Sequence, residues 1–389
     1  MTQHPKSSKT STSAHRIPRS VYVLTGCVGV IGANSLGLGP IAPEVARTFG
    51  VDVATTMLAT AAFGCGAALS SVFLAPRIDR LGAYRMLRLS MLVLPLALLA
   101  SALSLWVAML IVAQFVAGLA SGVAFPAIYA GAAGLAPRGR ESKTIGLVMS
   151  GWMFSMVAGV SLSAIVADLT HWRFVYGLVA LLAGAMLLLL SRLNLRDTVS
   201  TGETPSPLSA LSLPGIKLLL FANGALMTAF YGLYAYLGDY FHSSLGLPIR
   251  ANGLITLAYS VGFGGGILAG GLVNRAGVDR VLPAALFFVT VVYLLFGLLG
   301  DGMVAILCLL VALGFGNFYS VNLLIVRLTA VDPAKRGTIM GLQTTVTNLA
   351  VFAGASGFGL IYSAGGFVAM AYTGMVLAFA AAIAGKMRS

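Results

Sequence analysis

The sequence predicts an all-α integral membrane protein of twelve transmembrane helices, arranged as two homologous six-helix bundles. Three observations carry that prediction. Of 389 residues, 58% are hydrophobic and only 9% charged, with a mean hydropathy of +0.95, against about 25% charged in soluble domains. Apolar runs of about 20 residues, the length that crosses a hydrocarbon core of roughly 30 Å, recur along the whole chain. A short charged turn between two such runs, Asp79-Arg80-Leu81-Gly82-Ala83-Tyr84-Arg85, returns 195 positions later as Asn274-Arg275-Ala276-Gly277-Val278-Asp279-Arg280. Duplication at half the chain length marks two related halves. The ten-residue alternating segments of an outer-membrane barrel are absent.

Residues 1–19 are polar, rich in Ser, Thr and Lys and without periodicity, which predicts a disordered cytoplasmic tail. The apolar run after it reads as the first helix rather than a removed leader, since further spans follow and no cleavage pattern is present. The expected spans are 20–41, 54–75, 84–103, 105–134, 143–167 and 172–193, then 215–239, 250–273, 281–299, 303–326, 337–362 and 366–386. They group into an N-terminal bundle over 20–193 and a C-terminal bundle over 215–389. The Ser-, Thr- and Pro-rich stretch 194–214 joins the two as a cytoplasmic linker.

Charge gives the orientation. Of the 24 Lys and Arg residues, only Arg47, Arg173 and Arg250 fall on one side of this topology, leaving 21 on the other. The positive-inside bias then puts both termini in the cytoplasm of a multi-pass cell-membrane protein. The net charge of +13 is spread over many short connections, so no nucleic-acid-binding stripe is expected. Cys27, Cys65 and Cys308 fall inside spans without metal-ligand spacing and read as small packing residues. The helix-eight glycines, Gly262, Gly264, Gly265, Gly266, Gly270 and Gly271, match neither a dinucleotide loop nor a P-loop. They suit close helix packing. No cofactor and no metal are expected, and no cluster of His, Cys or acids sits at one depth to support an enzyme.

The charged turn resembles the signature loop between helices two and three of the major facilitator superfamily. Asp79, Arg80 and Gly82 match that loop, Arg85 is a shifted basic position, and the second copy keeps Arg275 and Gly277. Pro137-Arg138-Gly139-Arg140 and Pro333-Ala334-Lys335-Arg336 resemble the family's basic loops. His171-Trp172-Arg173 is similar to the pair that opens helix six in drug and sugar efflux carriers. The resemblance covers nearly the whole chain after the tail. It implies a secondary transporter, drug–proton antiporter-like, that rocks two bundles about a central cavity lined by helices one, four, seven, ten and eleven. Two departures bear on proton coupling. Gln114 stands where proton-linked members often carry Arg, and Ser161 and Ser163 follow Gly151 and Gly159 where the antiporter signature has Pro and Gly.

Three sets of residues are candidates for function. A carboxylate at a helix end, close to arginines and a neighbouring helix N-terminus, can latch two bundles. This nominates Asp79, Arg80, Gly82, Arg85, Arg275 and Gly277 for gating, the alternative being a solvated turn. Polar side chains inside spans need partners in the bundle interior. Asn34, Gln114, Asn223, Tyr231, Asn317, Gln343 and Asn348 are accordingly substrate-binding candidates, with interhelical bonding as the alternative and Phe125 and Trp152 as aromatic walls. All eleven acids lie at span ends or in loops. Glu44 and Asp239, at corresponding ends of helices one and seven, are the proton-coupling candidates, although Arg47 offers Glu44 a surface partner.

No Lys or Arg lies at mid-span, so a neutral or weakly cationic amphiphile is favoured over a strong anion. The function expected is proton-linked efflux of a small, weakly polar solute by a monomeric carrier in the lipid bilayer. The alternatives are a metabolite uptake permease, by symport or facilitated diffusion, and a membrane sensor that transports nothing.

Overall fold

The computed structural model describes residues 18–137, 140–193, 197, 207–268, 277–332 and 335–386. Without water in a hydrocarbon core, every backbone amide and carbonyl must bond within the protein, and the described residues form helices and no strand. Ten helices are long and apolar enough to cross a membrane. One of these, Arg336–Lys386, runs for 51 residues and breaks at Gly366, with φ 64° and ψ −158°. At 1.5 Å per residue it would measure roughly 75 Å, more than twice a hydrocarbon core. It therefore counts as two arms.

In chain order we label α1 Arg19–Phe49, α2 Val53–Phe73, α3 Ala83–Ala102 and α4 Val107–Leu135. The fifth, α5, starts as Glu141–Phe154, loosens into a π-helical turn over Ser155–Val160 and ends as Ser161–Leu169. Then come α6 Trp172–Arg192, α7 Ile216–Asp239, α8 Gly253–Leu268, α9 Val278–Leu299 and α10 Met303–Val331. The two arms of the broken helix are α11 (336–365) and α12 (367–386).

Of the expected spans, 250–273 is described only as far as Leu268, its remainder lying outside the described residues, and two others differ from expectation. The first helix was expected to stop at residue 41, yet α1 runs through Pro40 and Pro43 to Phe49. Pro43 leaves the Gly39 carbonyl without its helical donor, and the C-terminal half packs onto that stretch, with Gly238 against the Gly39 carbonyl and Asn252 Nδ2, just before α8, donating to the Pro40 carbonyl at 2.7 Å. The second difference is the connection expected at 363–365, which is helical up to the break at Gly366. The tail, Arg275, most of the 194–214 linker and parts of both basic loops lie outside the described residues.

Helix ends are closed locally. The α1 terminus stops at Gly50, whose φ of 65° is left-handed. The Asp52 carboxylate caps α2 by accepting from the Thr55 amide at 2.8 Å, and these bonds hold its pKa below the usual carboxylate value. Small residues let helices cross closely. On α1 and α5, Gly32 sits against Ser155 and Trp152, and Gly151 against the Thr25 carbonyl. Of the helix-eight glycines, Gly262 packs on the Val311 backbone and Gly266 on Phe318, Gly265 has open space beside it among the described residues, and Gly270 and Gly271 lie outside them, while Gly314 on α10 returns the contact to Tyr259. Across the halves, α2 packs on α11, α1 on α7 and α5 on α8.

The duplicated turn is also duplicated in backbone geometry. Gly82 leads into α3 with φ 93° and ψ 136°, and Gly277 leads into α9 with φ 79° and ψ 155°. Both conformations belong to glycine alone. Their surroundings differ. Asp197 sits over Gly82, its Oδ1 accepting from the Tyr84 amide at 2.7 Å and its Oδ2 from the Arg85 amide at 3.3 Å. A carboxylate at this position complements the positive end of α3. Among the described residues nothing crowds Gly277, and α9 carries its own acid, Asp279, in its first turn.

This difference yields a prediction. Gly82→Ala and Gly277→Ala each force an L residue into a disfavoured φ, at about 1–2 kcal/mol. Gly82→Ala in addition expels Asp197 from the α3 terminus. Thermal unfolding in detergent is expected to give the lower Tm for Gly82→Ala; equal or reversed values would contradict the assigned role of Asp197.

Candidate functional site

A cavity of about 590 Å³ lies between the halves. Its walls come from α1, α2, α4 and α5 on one side and α7, α8, α10 and α11 on the other. Lining residues run from mid-helix, at Ser35, Phe63 and Tyr231, toward the helix ends that carry the basic turns, at Gly146, Ile325 and Gln343. The N-terminal half contributes Phe125, Tyr129 and Trp152, with Met149 and Met153. Phe125 stacks on Tyr129 at 6.4 Å and tilts onto Trp152 at 5.7 Å between ring centroids. The C-terminal half contributes the amides, Asn322, Gln343 and Asn348, beside Thr344, Thr347, Phe263 and Phe318. None of the described lining residues carries a charge.

The opposite face is shut. Asn252, with 0% exposure, donates to the Pro40 carbonyl of the N-terminal half at 2.7 Å and to the Gly238 carbonyl of its own half at 3.1 Å. Arg250 pairs with Asp168 across the halves at 3.2 Å. Gly238 packs against the Gly39 carbonyl, and Gly253 against that of Ser161. Sequence reasoning missed Asn252, because an amide at a span end resembles any interfacial polar residue until its partners are known.

The seven substrate-binding candidates separate into groups. Tyr231, Gln343 and Asn348 line the cavity. Asn223 is fully buried behind it, where Nδ2 donates to Thr347 Oγ1 at 3.1 Å and Oδ1 accepts from Gln343 Nε2 at 3.3 Å. Gln343 Nε2 also reaches Thr347 at 3.1 Å. Asn223 thus positions two lining side chains without lining the cavity itself. Asn34 and Gln114 form a reciprocal amide pair at 3.2 and 3.3 Å, with Ser101 closing the set at 3.0 Å. Asn317 is fully buried and donates to the Tyr259 hydroxyl at 3.2 Å. These last three bond helices to one another. The lining residues that sequence reasoning missed are mostly apolar, among them Phe63, Phe263, Phe318, Met149 and Met153. In a chain this apolar, no local signal distinguishes them from lipid-facing neighbours.

Of the gating candidates, Arg80 and Arg85 are exposed at the basic face, and Gly82 and Gly277 supply the turns described above. The Asp79 side chain and Arg275 lie outside the described residues. The two acids differ sharply. Glu44 pairs with Arg47 at 2.6 Å. Asp239 is 9% exposed and accepts from Ser243 at 2.8 Å and from the Tyr362 hydroxyl of α11 at 2.7 Å. It makes no ion pair among the described residues. Among the described residues its carboxylate is thus held by neutral donors alone.

Comparison with known proteins agrees with this architecture. YwfA of Bacillus subtilis (strain 168), an uncharacterized MFS-type transporter, is 26% identical over 355 residues, 89% of this chain and 86% of the relative. The chloramphenicol resistance protein of Streptomyces lividans is 25% identical over 338 residues, 85% of each chain. A solved POT family transporter in complex with 5-aminolevulinic acid superposes with a TM-score of 0.77 at 15% identity, over 94% of this chain and 95% of that one; this likeness is one of fold. The model of the Major Facilitator Superfamily matches residues 24–355. The chain therefore belongs to the major facilitator superfamily, and it is a transporter rather than an enzyme.

Proposed function

We propose that the protein exports a small, uncharged or weakly cationic amphiphile by alternating access, driven by protons. The cavity carries this reading. Its volume of about 590 Å³ suits a drug-sized ligand, and its lining sets aromatic and methionine side chains against amides and hydroxyls. An anion held there would find no cation among the described lining residues, and an unpaired charge in low dielectric costs several kcal/mol. Aromatic faces add attraction for a weakly cationic ligand. Export is supported by the relative named for chloramphenicol resistance, chloramphenicol itself being an uncharged aromatic amide. The test is flux of radiolabelled chloramphenicol in sealed vesicles, with and without an imposed pH gradient. Gradient-stimulated movement is expected; flux no greater than in protein-free vesicles would sink this reading.

Proton coupling falls to Asp239 rather than Glu44, since Glu44 already has its cation. Asp239→Asn keeps the shape and removes the titration. It is expected to reduce gradient-driven flux at least tenfold while leaving downhill exchange of the same substrate. Loss of both, or of neither, would remove Asp239 from the coupling role.

The basic face is the cytoplasmic face in this reading, by the positive-inside bias. A single cysteine introduced at Lys386 is expected to resist an impermeant thiol reagent in intact cells. Labelling from outside would reverse the orientation, and with it the direction of export.

Alternating access requires the closed face to open, and Asn252 is the pin to withdraw. Asn252→Ala removes its one hydrogen bond across the halves, about 0.5–1.5 kcal/mol net, a shift of roughly two- to twelvefold in the ratio of the two states. Spin labels on the outer ends of α1 and α7 are expected to report a larger population of the long distance. An unchanged distance distribution would relieve Asn252 of that role.

A further inference from the structure

We infer that the cavity recognises the hydrogen-bond donors of its ligand: the head group it takes is an amine or a hydroxyl, and Asn322 and Asn348 select it. This rests on the cavity being the transport site, and it narrows the substrate class from any weakly polar amphiphile to one whose polar end carries O–H or N–H.

The argument begins with two amides. Asn322 Nδ2 donates to the Phe318 carbonyl at 2.7 Å, and Asn348 Nδ2 donates to the Thr344 carbonyl at 3.0 Å. Each acceptor is the backbone carbonyl four residues earlier on the same helix. An amide side chain can be turned end for end when its partner is a hydroxyl or another amide. A carbonyl has no hydrogen to give, so the nitrogen end must face it. The oxygen end of each side chain is then directed away from the helix backbone. Both residues line the cavity. Neither Oδ1 accepts a bond from a described residue, and neither is sealed off among the buried unpartnered atoms. Two carbonyl oxygens on α10 and α11 are left to a ligand.

Three of the five serine and threonine hydroxyls of the lining follow the same pattern; Thr347 instead accepts from Asn223 and Gln343, which leaves its proton free, and Ser35 donates to no described residue. Ser121 donates to the Ala117 carbonyl at 2.8 Å, Ser150 to that of Leu147 at 2.6 Å, and Thr344 to that of Met340 at 2.9 Å. A hydroxyl has one proton, and each of these three directs it into its own helix. Lone pairs are what remains for the cavity. Gln343 is not fixed in this way, because its partners are the Asn223 amide and the Thr347 hydroxyl. Tyr129 and Tyr231 can donate or accept, and the Trp152 indole only donates. The balance of the wall is toward acceptors.

An ester or carboxylate head therefore meets lone pairs facing lone pairs along α10 and α11. An alcohol or amine finds acceptors already oriented by bonds to the backbone. Because the wall holds no carboxylate among its described residues, a positive charge on the head is accepted but not required.

The test uses one aromatic body with four heads: naphthylmethylamine, naphthylmethanol, methyl naphthoate and naphthoate. Binding to the purified full chain in nanodiscs is followed by thermal shift and by tryptophan fluorescence. The amine and the alcohol are expected to bind at least tenfold tighter than the ester and the carboxylate. Asn348→Leu should weaken the amine and alcohol about three- to tenfold and leave the ester unchanged. Asn322→Asp, at a position exposed within the cavity, keeps an acceptor and adds charge; it should tighten the amine while holding the alcohol within about twofold. Equal binding of all four heads, or a Leu variant that shifts all four alike, overturns the inference and leaves the transport-site reading standing. Binding of none overturns both.

Discussion

A polar group inside a hydrocarbon layer has to find its partner within the protein, because water is not there to take the bond. Much of this structure follows from that demand. The Asn34–Gln114 pair joins α1 to α4, and the Asn223–Gln343–Thr347 set joins α7 to α11. Tyr234 reaches Thr256 across α7 and α8 at 2.6 Å, and Asn317 reaches Tyr259 across α10 and α8. Without a hydrophobic driving force between helices, each such bond contributes about 0.6 to 2 kcal/mol to association. Their placement nonetheless fixes which helix faces meet. Asn322 and Asn348, each with one end engaged by its own helix, border the cavity.

The same demand shapes the two faces of the molecule in different ways. At the basic face, helix termini are met by acids: Asp197 over α3, and Asp279 within α9, where Arg327 joins it at 3.2 Å and also reaches the Gly385 carbonyl. These contacts stay within one half, so they stiffen each bundle without tying the two together. At the opposite face the bonds cross between halves, through Asn252 and the Arg250–Asp168 pair. One face thus holds the bundles together while the cavity opens between them toward the other. The π-helical turn of α5 lies beside this cavity, following Trp152 and Met153. Gly151 precedes it and Gly159 lies within it, with Ser161 where the antiporter signature has a proline. The helix departs from α geometry there without one, in keeping with the occurrence of π turns at functional sites.

The two acids nominated from the sequence illustrate how surroundings divide like residues. Glu44 and Asp239 occupy corresponding ends of α1 and α7, yet an arginine one turn along neutralises the first and two hydroxyls receive the second. Identity and depth made them equivalent candidates. Their partners made them different, and Tyr362 lies 123 residues from the acid that it bonds.

Much of the fold was legible in the chain itself. Apolar runs of bilayer length specify membrane helices whatever their neighbours are, since hydrophobic length is a local property. The duplicated turn specified two related halves, and its glycines recur as Gly82 and Gly277 with nearly matching dihedrals. Mid-span polar residues could be read as interior, because lipid tolerates them nowhere else. What the sequence could not say is which of those residues would satisfy one another and which would face the cavity. Asn34 and Gln114 are 80 positions apart, Asn252 and Pro40 are 212 apart, and their pairings exist only once the helices pack. Composition bounds the partners available, but a hydrogen bond acts over about 3 Å. Only the tertiary structure brings side chains within that distance, and so only it decides which amides become structure and which become site.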